Sequence, residues 1–290
     1  VKWFNPETIK PWLLLLPSVI VIGFLVGYGV WEAIAESFRE WETGKWTVQY
    51  YEELLMKEAF WDSLFLSMYI AISSTLASLL IGLFLTRVLQ RYFMNYRWKS
   101  LVWLPMLFPH FVAAYLIILF LSESGILSSL FYHFGWVNEI ADFPFSIQSQ
   151  HSAGIIFTYI WKEVPFVILM LLPIYQQFSP EEEATVRTLG GNSWDVFKTT
   201  EWPSLFPVLI ETGIILFAFT LAAFEVPSVL GITYPKMLPV LSYQWFFEND
   251  WSNRPLAMAV MIITTLIILF IAFLSFWVTQ RRRMHIARGR

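Results

Sequence analysis

The sequence predicts an all-α, polytopic membrane protein with six transmembrane helices and a helix–turn–helix in one connecting loop. Three observations lead there. Of 290 residues, 57% are hydrophobic, 19% aromatic and only 14% charged. A soluble domain carries roughly 25% charge and needs it for a hydrated shell. Six separate stretches reach the length of about 20 apolar residues that a membrane helix requires. Finally, basic and acidic residues alternate between successive connecting segments. This balance excludes a soluble enzyme and a disordered tail. The net charge of −3 argues against nucleic acid as a partner. The absence of cysteine excludes a disulfide framework, a thiolate nucleophile and a zinc finger.

The first expected span covers residues 11–31. It is long, lacks a small-residue cleavage site and runs into amphipathic chain at Trp31-Glu32-Ala33, so it reads as a retained helix rather than a signal peptide. The second, 62–85, sets Ser74, Ser78 and Gly82 four residues apart, a stripe of small side chains that permits close helix approach. The third, 101–121, contains Pro105 and Pro109, and the fourth, 152–175, contains Pro165 and Pro173. Each proline removes a backbone donor, which reads equally as a static kink or as opened backbone beside a pathway. The fifth span is 205–231 and the sixth 256–278, all within one transmembrane domain, 1–290.

Charge placement orients the spans. Arg87, Arg91, Arg97 and Lys99 lie between the second and third, and Arg281, Arg282, Arg283, Arg288 and Arg290 follow the sixth. Glu123, Glu139 and Asp142 lie between the third and fourth with no Lys or Arg among them, and the segment after the first span is mostly acidic. The positive-inside rule then places both termini in the cytoplasm. The arginine triplet directly follows a hydrophobic helix, so membrane lipid is its expected contact.

The informative segment is the loop 176–203, followed by the start of the fifth span. Ser179 suits an N-cap, with Pro180 in the first turn and Glu182 three residues after the cap. Glu181, Glu182 and Glu183 suit the positive end of that helix. Gly190-Gly191 suits its end, because glycine tolerates the left-handed conformation of a C-terminal cap. Asn192 or Ser193 can cap a second helix through Trp194, Phe197 and Lys198, which Trp202-Pro203 is expected to break. Ala184, Val186, Leu189, Trp194 and Phe197 are its expected apolar contacts. A mere connector does not need such a unit, whereas a docking surface does.

This loop resembles the EAA loop of type I ABC importer permeases, in which Glu-Ala-Ala is followed by Gly, an aromatic, Pro, Leu and Pro. Counted from Gly190, Phe197 stands at +7, Pro203 at +13, Leu205 at +15 and Pro207 at +17. The first half departs from the pattern: Ala184 occupies the acid's usual place and Glu183 lies one residue earlier. Residues 51–67, 104–115 and 224–231 resemble other parts of the family, and FEVPSVLG is closer to its polyamine, ferric iron, thiamine and phosphonate branch than to its sugar branch. The resemblance implies half of a translocation pathway in the bacterial inner membrane. The implied partners are two ATP-binding cassette subunits, a second permease that is homologous or identical, and an extracytoplasmic solute-binding protein. ATP and magnesium would sit in the partner subunits, with no cofactor or metal in this chain. Glu182, Glu183, Ala184, Gly190, Gly191, Phe197 and Pro203 are the implied coupling residues. The acidic outer segments 33–60 and 122–150 are the surface expected to meet the binding protein.

Ionisable groups within spans cost about 2.5–3.5 kcal/mol on insertion scales, so each invites a functional reading. Lys162-Glu163 lies in the fourth span, Glu211 and Glu225 in the fifth and His110 in the third. Glu163, Glu225 and His110 are candidates to line the path of a polyamine or other small amine; the alternative is that Glu163 pairs with a donor on another helix and Glu225 sits at the interface. The chain has no GxxxxGK[ST] phosphate loop, HExxH or GxSxG, so it is expected not to be an enzyme. An ion-gradient-driven secondary transporter is the competing class, but it has no use for the 176–203 loop.

Overall fold

The computed structural model describes residues 6–92, 102–139, 142–144, 152–231, 234–248 and 250–287; of residues 6–13 and 278–287 it describes the backbone only. Arg97, Lys99, Arg288 and Arg290 therefore lie outside the described residues, as do residues 140, 141 and 145–150 of the second outer segment. The described chain is helical, with an isolated β-bridge between Arg39 and Trp46. Six of its segments are long and apolar enough to cross a membrane: Leu14–Ser37, Glu58–Tyr92, His110–His133, Ala153–Tyr175, Ser193–Ala222 and Trp251–Trp277.

Contacts divide the chain into two compact units, Val1–Phe60 with Leu241–Ile263 and Trp61–Val240 with Thr264–Arg290. The first contains α1 (Pro6–Ser37) and α2 (Gln49–Met56). It also holds the ends of α11 (Leu238–Phe247) and α12 (Arg254–Ala287). Its fixed point is Arg254, which pairs with Glu36 at 3.3 Å and lies over the rings of Phe246 and Trp251. The hydroxyls of Ser37 and Tyr51 share a hydrogen bond of 2.9 Å. Residues 14–32 of α1 are exposed along their whole length.

The second unit contains the remaining helices. They are α3 (Glu58–Tyr92, from Trp61 on), α4 (His110–Leu121), α5 (Ile126–His133) and α6 (Ala153–Tyr175). Then follow α7 (Pro180–Thr188), α8 (Ser193–Val196), α9 (Trp202–Ala222) and α10 (Glu225–Leu230). Apolar side chains gain little by leaving lipid for each other, so membrane helices associate through close packing and interhelical hydrogen bonds. The small-residue stripe of α3 does this. Ser74, Ser78 and Gly82 are buried, and a Cβ on Gly82 would stand 2.5 Å from Val167 of α6. Val167, Leu171, Leu205, Leu209 and Leu216 form the adjoining core. The most buried span is α6, which carries both Pro165 and Pro173 and stays helical through them.

Two expected boundaries are corrected. The third span is not one helix from residue 101: a 3-10 turn at Leu104–Leu107 ends at Phe108, whose backbone is extended, and α4 starts at His110 after Pro109. Two prolines four residues apart deny the helix donors on successive turns. The fifth span ends at Ala222 rather than running to Gly231. A helical Pro227 ring would clash with the carbonyl four residues back, at Ala223, and Ala223 adopts an extended backbone before α10 begins. Glu225 is thus the first residue of a separate short helix.

Candidate functional site

The 176–203 loop is assembled from local chemistry. Ser179 Oγ accepts the Glu182 N–H at 3.3 Å and starts α7. At its far end Gly190 adopts φ +86°, and the Gly190 and Gly191 N–H groups donate to the Arg187 and Val186 carbonyls. That pair of bonds is a Schellman motif, which requires the left-handed residue glycine supplies. Gly191 is needed for space, since a Cβ there would lie 2.6 Å from Val186 Cγ1. Asn192 is the cap of α8: its Oδ1 accepts the Trp194 and Asp195 N–H groups, and Asp195 Oδ2 accepts the Asn192 N–H. Glu182 and Ala184 are exposed on α7, and Glu183 pairs with Arg187 at 2.6 Å.

The expected break at Trp202-Pro203 does not occur. Helix continues from Ser193 to Ala222 through a π-helical turn at Phe197–Glu201, in which the Trp202 N–H reaches the Phe197 carbonyl. The widened turn makes room for the Pro203 ring without ending the helix. The loop is therefore a direct extension of the fifth span. Leu189 and Trp194 also depart from expectation. They are 84% and 55% exposed, so both present apolar surface outward, Trp194 while also stacking on Phe197.

A cluster not foreseen from the sequence ties this loop to two other spans. Arg87 of α3 donates to the Ser193 carbonyl and pairs with Glu201, both at 3.2 Å. The Tyr175 hydroxyl, at the end of α6, donates to the other Glu201 oxygen at 3.0 Å. Phe197 is sandwiched, with Trp194 stacked 5.2 Å away and the Arg87 guanidinium 5.0 Å from its ring. Beside them is a cleft of about 240 Å³ lined by Arg87, Gln90, Arg91, Glu183 and Arg187 among others. The only sequence signals were a polar residue at each span end and one acid before Trp202-Pro203.

A second polar centre lies within the spans. Glu163 is 3% exposed; its Oε1 accepts from Thr220 at 2.8 Å and its Oε2 lies 3.5 Å from Ser78 Oγ. Lys162, 6% exposed, donates to the Pro105 carbonyl at 2.6 Å and to that of Phe108. His110 is half-buried with its ring 4.8 Å from that of Phe219, and Glu225 is exposed. Glu163 and Glu225 are thus in different settings, one enclosed by hydroxyls and one open. Among the described residues no three His, Asp or Glu side chains converge as a metal site.

Six apolar spans, a broken third span and a capped helix–turn–helix rigidly continued into the fifth define a polytopic helical transport protein. Residues 78–284 match the model of the binding-protein-dependent transport system inner membrane component, and the chain belongs to that family. It is a permease component of ABC importers and not an enzyme. Among relatives, it is 25% identical over 278 residues to the ferric transport system permease protein FbpB of Actinobacillus pleuropneumoniae, covering 92% of this chain but 38% of that one. It is 26% identical to the sulfate transport system permease protein CysW of Synechocystis sp., covering 86% of this chain and 84% of the relative. A chain of the bacterial alginate ABC transporter, solved in complex with an alginate pentasaccharide-bound periplasmic protein, superposes with TM-score 0.77. It is 18% identical, with 95% of this chain and 96% of that one covered; the likeness is one of fold.

Proposed function

We propose that the chain forms half of the translocation pathway of an ATP-driven importer in a bacterial inner membrane, with both termini cytoplasmic. A second permease, homologous or identical, completes the pathway. Each permease receives one of two ATPase subunits on its 176–203 loop, and ATP-Mg is bound and hydrolysed in those subunits. The observation that carries this is the bracket at Glu201, which joins the loop to α3 through Arg87 and to α6 through Tyr175. With helix unbroken from Ser193 to Ala222, a pull on the loop moves the fifth span and does not dissipate in a hinge. Exposed Leu189 and Trp194 supply the apolar contact for a groove on the ATPase. Glu182, Glu183, Ala184, Gly190, Gly191, Phe197 and Pro203 form or support that docking surface. The acidic outer segments meet a solute-binding protein, a partner of the kind present in the alginate transporter complex.

The solute is small and hydrophilic. The FEVPSVLG segment and the open carboxylate of Glu225 support an amine such as a polyamine. Glu163 adds little to that preference, because its oxygens are engaged by Thr220 and Ser78. The relatives' names include ferric iron and sulfate, cargoes of opposite charge, so the sign of the solute rests on this chain's own residues.

The test is uptake into proteoliposomes holding the full complex and its binding protein. Gly190→Glu, or a proline inserted beside Gly190, is expected to leave the protein in the membrane and abolish ATP-driven uptake. Normal uptake by these variants removes the coupling assignment. Uptake that follows an imposed ion gradient and ignores ATP establishes the secondary-transporter alternative. Spermidine competing for uptake, with Glu225→Gln weakening it, supports the amine; competition by sulfate alone overturns it.

A further inference from the structure

Taking the chain as a permease subunit, we propose that Lys162 is a positioning residue for transport: its ammonium replaces the backbone donor that Pro109 removes and latches the opened start of the third span to α6. In a continuous helix the Pro105 carbonyl would accept from the N–H of residue 109, and proline has none. A carbonyl left unpaired at membrane depth is costly. The Phe108 carbonyl leaves the helical direction because its residue is extended, with φ −89° and ψ 132°. Lys162 Nζ donates to both oxygens from across the unit.

The ammonium has no carboxylate for company. Adjacent helix positions diverge by about 100°, and the Glu163 side chain is turned to Thr220 and Ser78. The ion pairs of the described residues do not include Lys162. Among the described residues its charge is therefore met by peptide carbonyls, at a place where two prolines have opened the helix. Trp161, the preceding residue, adds a second contact, its ring stacked 6.4 Å from that of Phe108.

The position of the latch on α6 gives it consequence. Tyr175, at the other end of that helix, is anchored to Glu201 at the base of the loop. Lys162 lies 13 residues earlier, about 20 Å along the helix axis. Pro165 and Pro173 loosen turns between them, but Val167, Ile168 and Leu171 are buried and move with the core. A displacement at the loop thus reaches the Leu104–Leu107 turn through Lys162. That turn faces outward from the unit, with Leu107 74% exposed.

The chain contains no cysteine, so a single Leu107→Cys substitution is a clean reporter. In the complete transporter, the labelling rate of this thiol is expected to differ between nucleotide-free and vanadate-trapped states. Lys162→Met abolishes that difference and lowers uptake about ten-fold, the scale of one lost charge-assisted hydrogen bond. ATP hydrolysis continues. Adding Pro109→Ala to Lys162→Met returns a donor to the Pro105 carbonyl and restores most of the uptake. Wild-type uptake by Lys162→Met overturns the proposal, as does a loss that Pro109→Ala leaves unrelieved. If Lys162→Met fails to reach the membrane, Lys162→Arg keeps a charged donor and is expected to restore both yield and uptake; failure of Lys162→Arg together with the Pro109→Ala pair also overturns it. Absence of ATP-driven uptake by the unmodified complex is a separate result that sinks the permease reading instead, while the latch is still read from recovery of thermal stability in the double variant.

Discussion

The 176–203 loop and the polar centre within the spans are both rigid, but they are built in opposite ways. Within the loop itself the stabilising bonds are local: caps that reach two or three residues, a Schellman turn, an ion pair from Glu183 to Arg187; the bracket at its base, where Arg87 and Tyr175 reach Glu201, is long-range. Each of the local bonds is exposed to water and individually weak. Inside the spans a few bonds join distant segments, from Glu163 to Thr220 and from Lys162 to Pro105, both 57 residues apart in sequence. Glu163, Lys162 and Thr220 are buried, so losing a partner leaves a polar group there with little water to replace it. A surface that must stay formed in water and present itself to a partner suits the first construction. A pathway that must keep its shape in a low-dielectric medium suits the second. The contrast predicts unequal responses to substitution.

The largest response belongs to Glu163. Replacement by alanine leaves the Thr220 and Ser78 hydroxyls without their acceptor and opens a cavity, a combined cost of about 2–4 kcal/mol. Glu163→Gln retains an acceptor for Thr220 and is expected to cost no more than about 1 kcal/mol. Thermal unfolding of the detergent-solubilised complex reads both. Equal melting temperatures for Glu163→Ala and the unmodified chain would erase the contrast between the two regions.

Gly82 tests the close packing around that centre. An alanine Cβ would stand 2.5 Å from Val167, closer than carbon atoms approach, so α3 and α6 must separate. Overpacking of this kind costs about 1–3 kcal/mol. Val167→Ala in the same chain is expected to recover most of the loss. A double variant no more stable than Gly82→Ala would place the strain elsewhere.

What could be read from the sequence follows the same division. The six spans were legible because hydropathy is a property of each segment alone. The caps at Ser179 and Asn192 and the turn at Gly190 were legible because their partners are within five residues. Lys162 and Glu163 could be singled out by their cost in a span, but their partners could not, since nothing local connects residue 163 to Thr220 or residue 162 to a proline turn. Arg87, Tyr175 and Glu201 were missed for the same reason. Pro203 misled because a proline ordinarily ends a helix, and the π-helical turn that accommodates it leaves no compositional mark. Pro227 carried usable information, for its ring acts on Ala223, one turn before it and about two turns before the end that the apolar run suggested.

Asn192 is the intermediate case, a local bond that several others depend on. Its side chain caps two backbone N–H groups and its own N–H is held by Asp195. Asn192→Ala is expected to cost about 1 kcal/mol, and Asn192→Ser less. Hydrogen exchange at Trp194 and Asp195 should accelerate, while exchange in α6 stays unchanged. Faster exchange spreading into α6 would mean that the loop and the spans are one cooperative unit.

The smallest effect is expected at Arg187. Its guanidinium pairs with Glu183 one turn away at 2.6 Å and reaches Ser193 Oγ at 3.5 Å, yet the two ion-pair side chains are 43% and 50% exposed. Water and salt screen such a pair, and holding two long side chains together costs entropy that offsets the attraction. The expected loss in Arg187→Ala is about 0.5 kcal/mol or less. Transport separates this from triviality. If the pair only decorates α7, uptake is unchanged and insensitive to ionic strength. If it holds Glu183 for a partner, uptake falls while the melting temperature does not, and Arg187→Lys restores part of it. A melting temperature that drops as far as that of Glu163→Ala would show that exposure does not decide what an ion pair contributes here, and the division between the two regions would fail at its weakest predicted point.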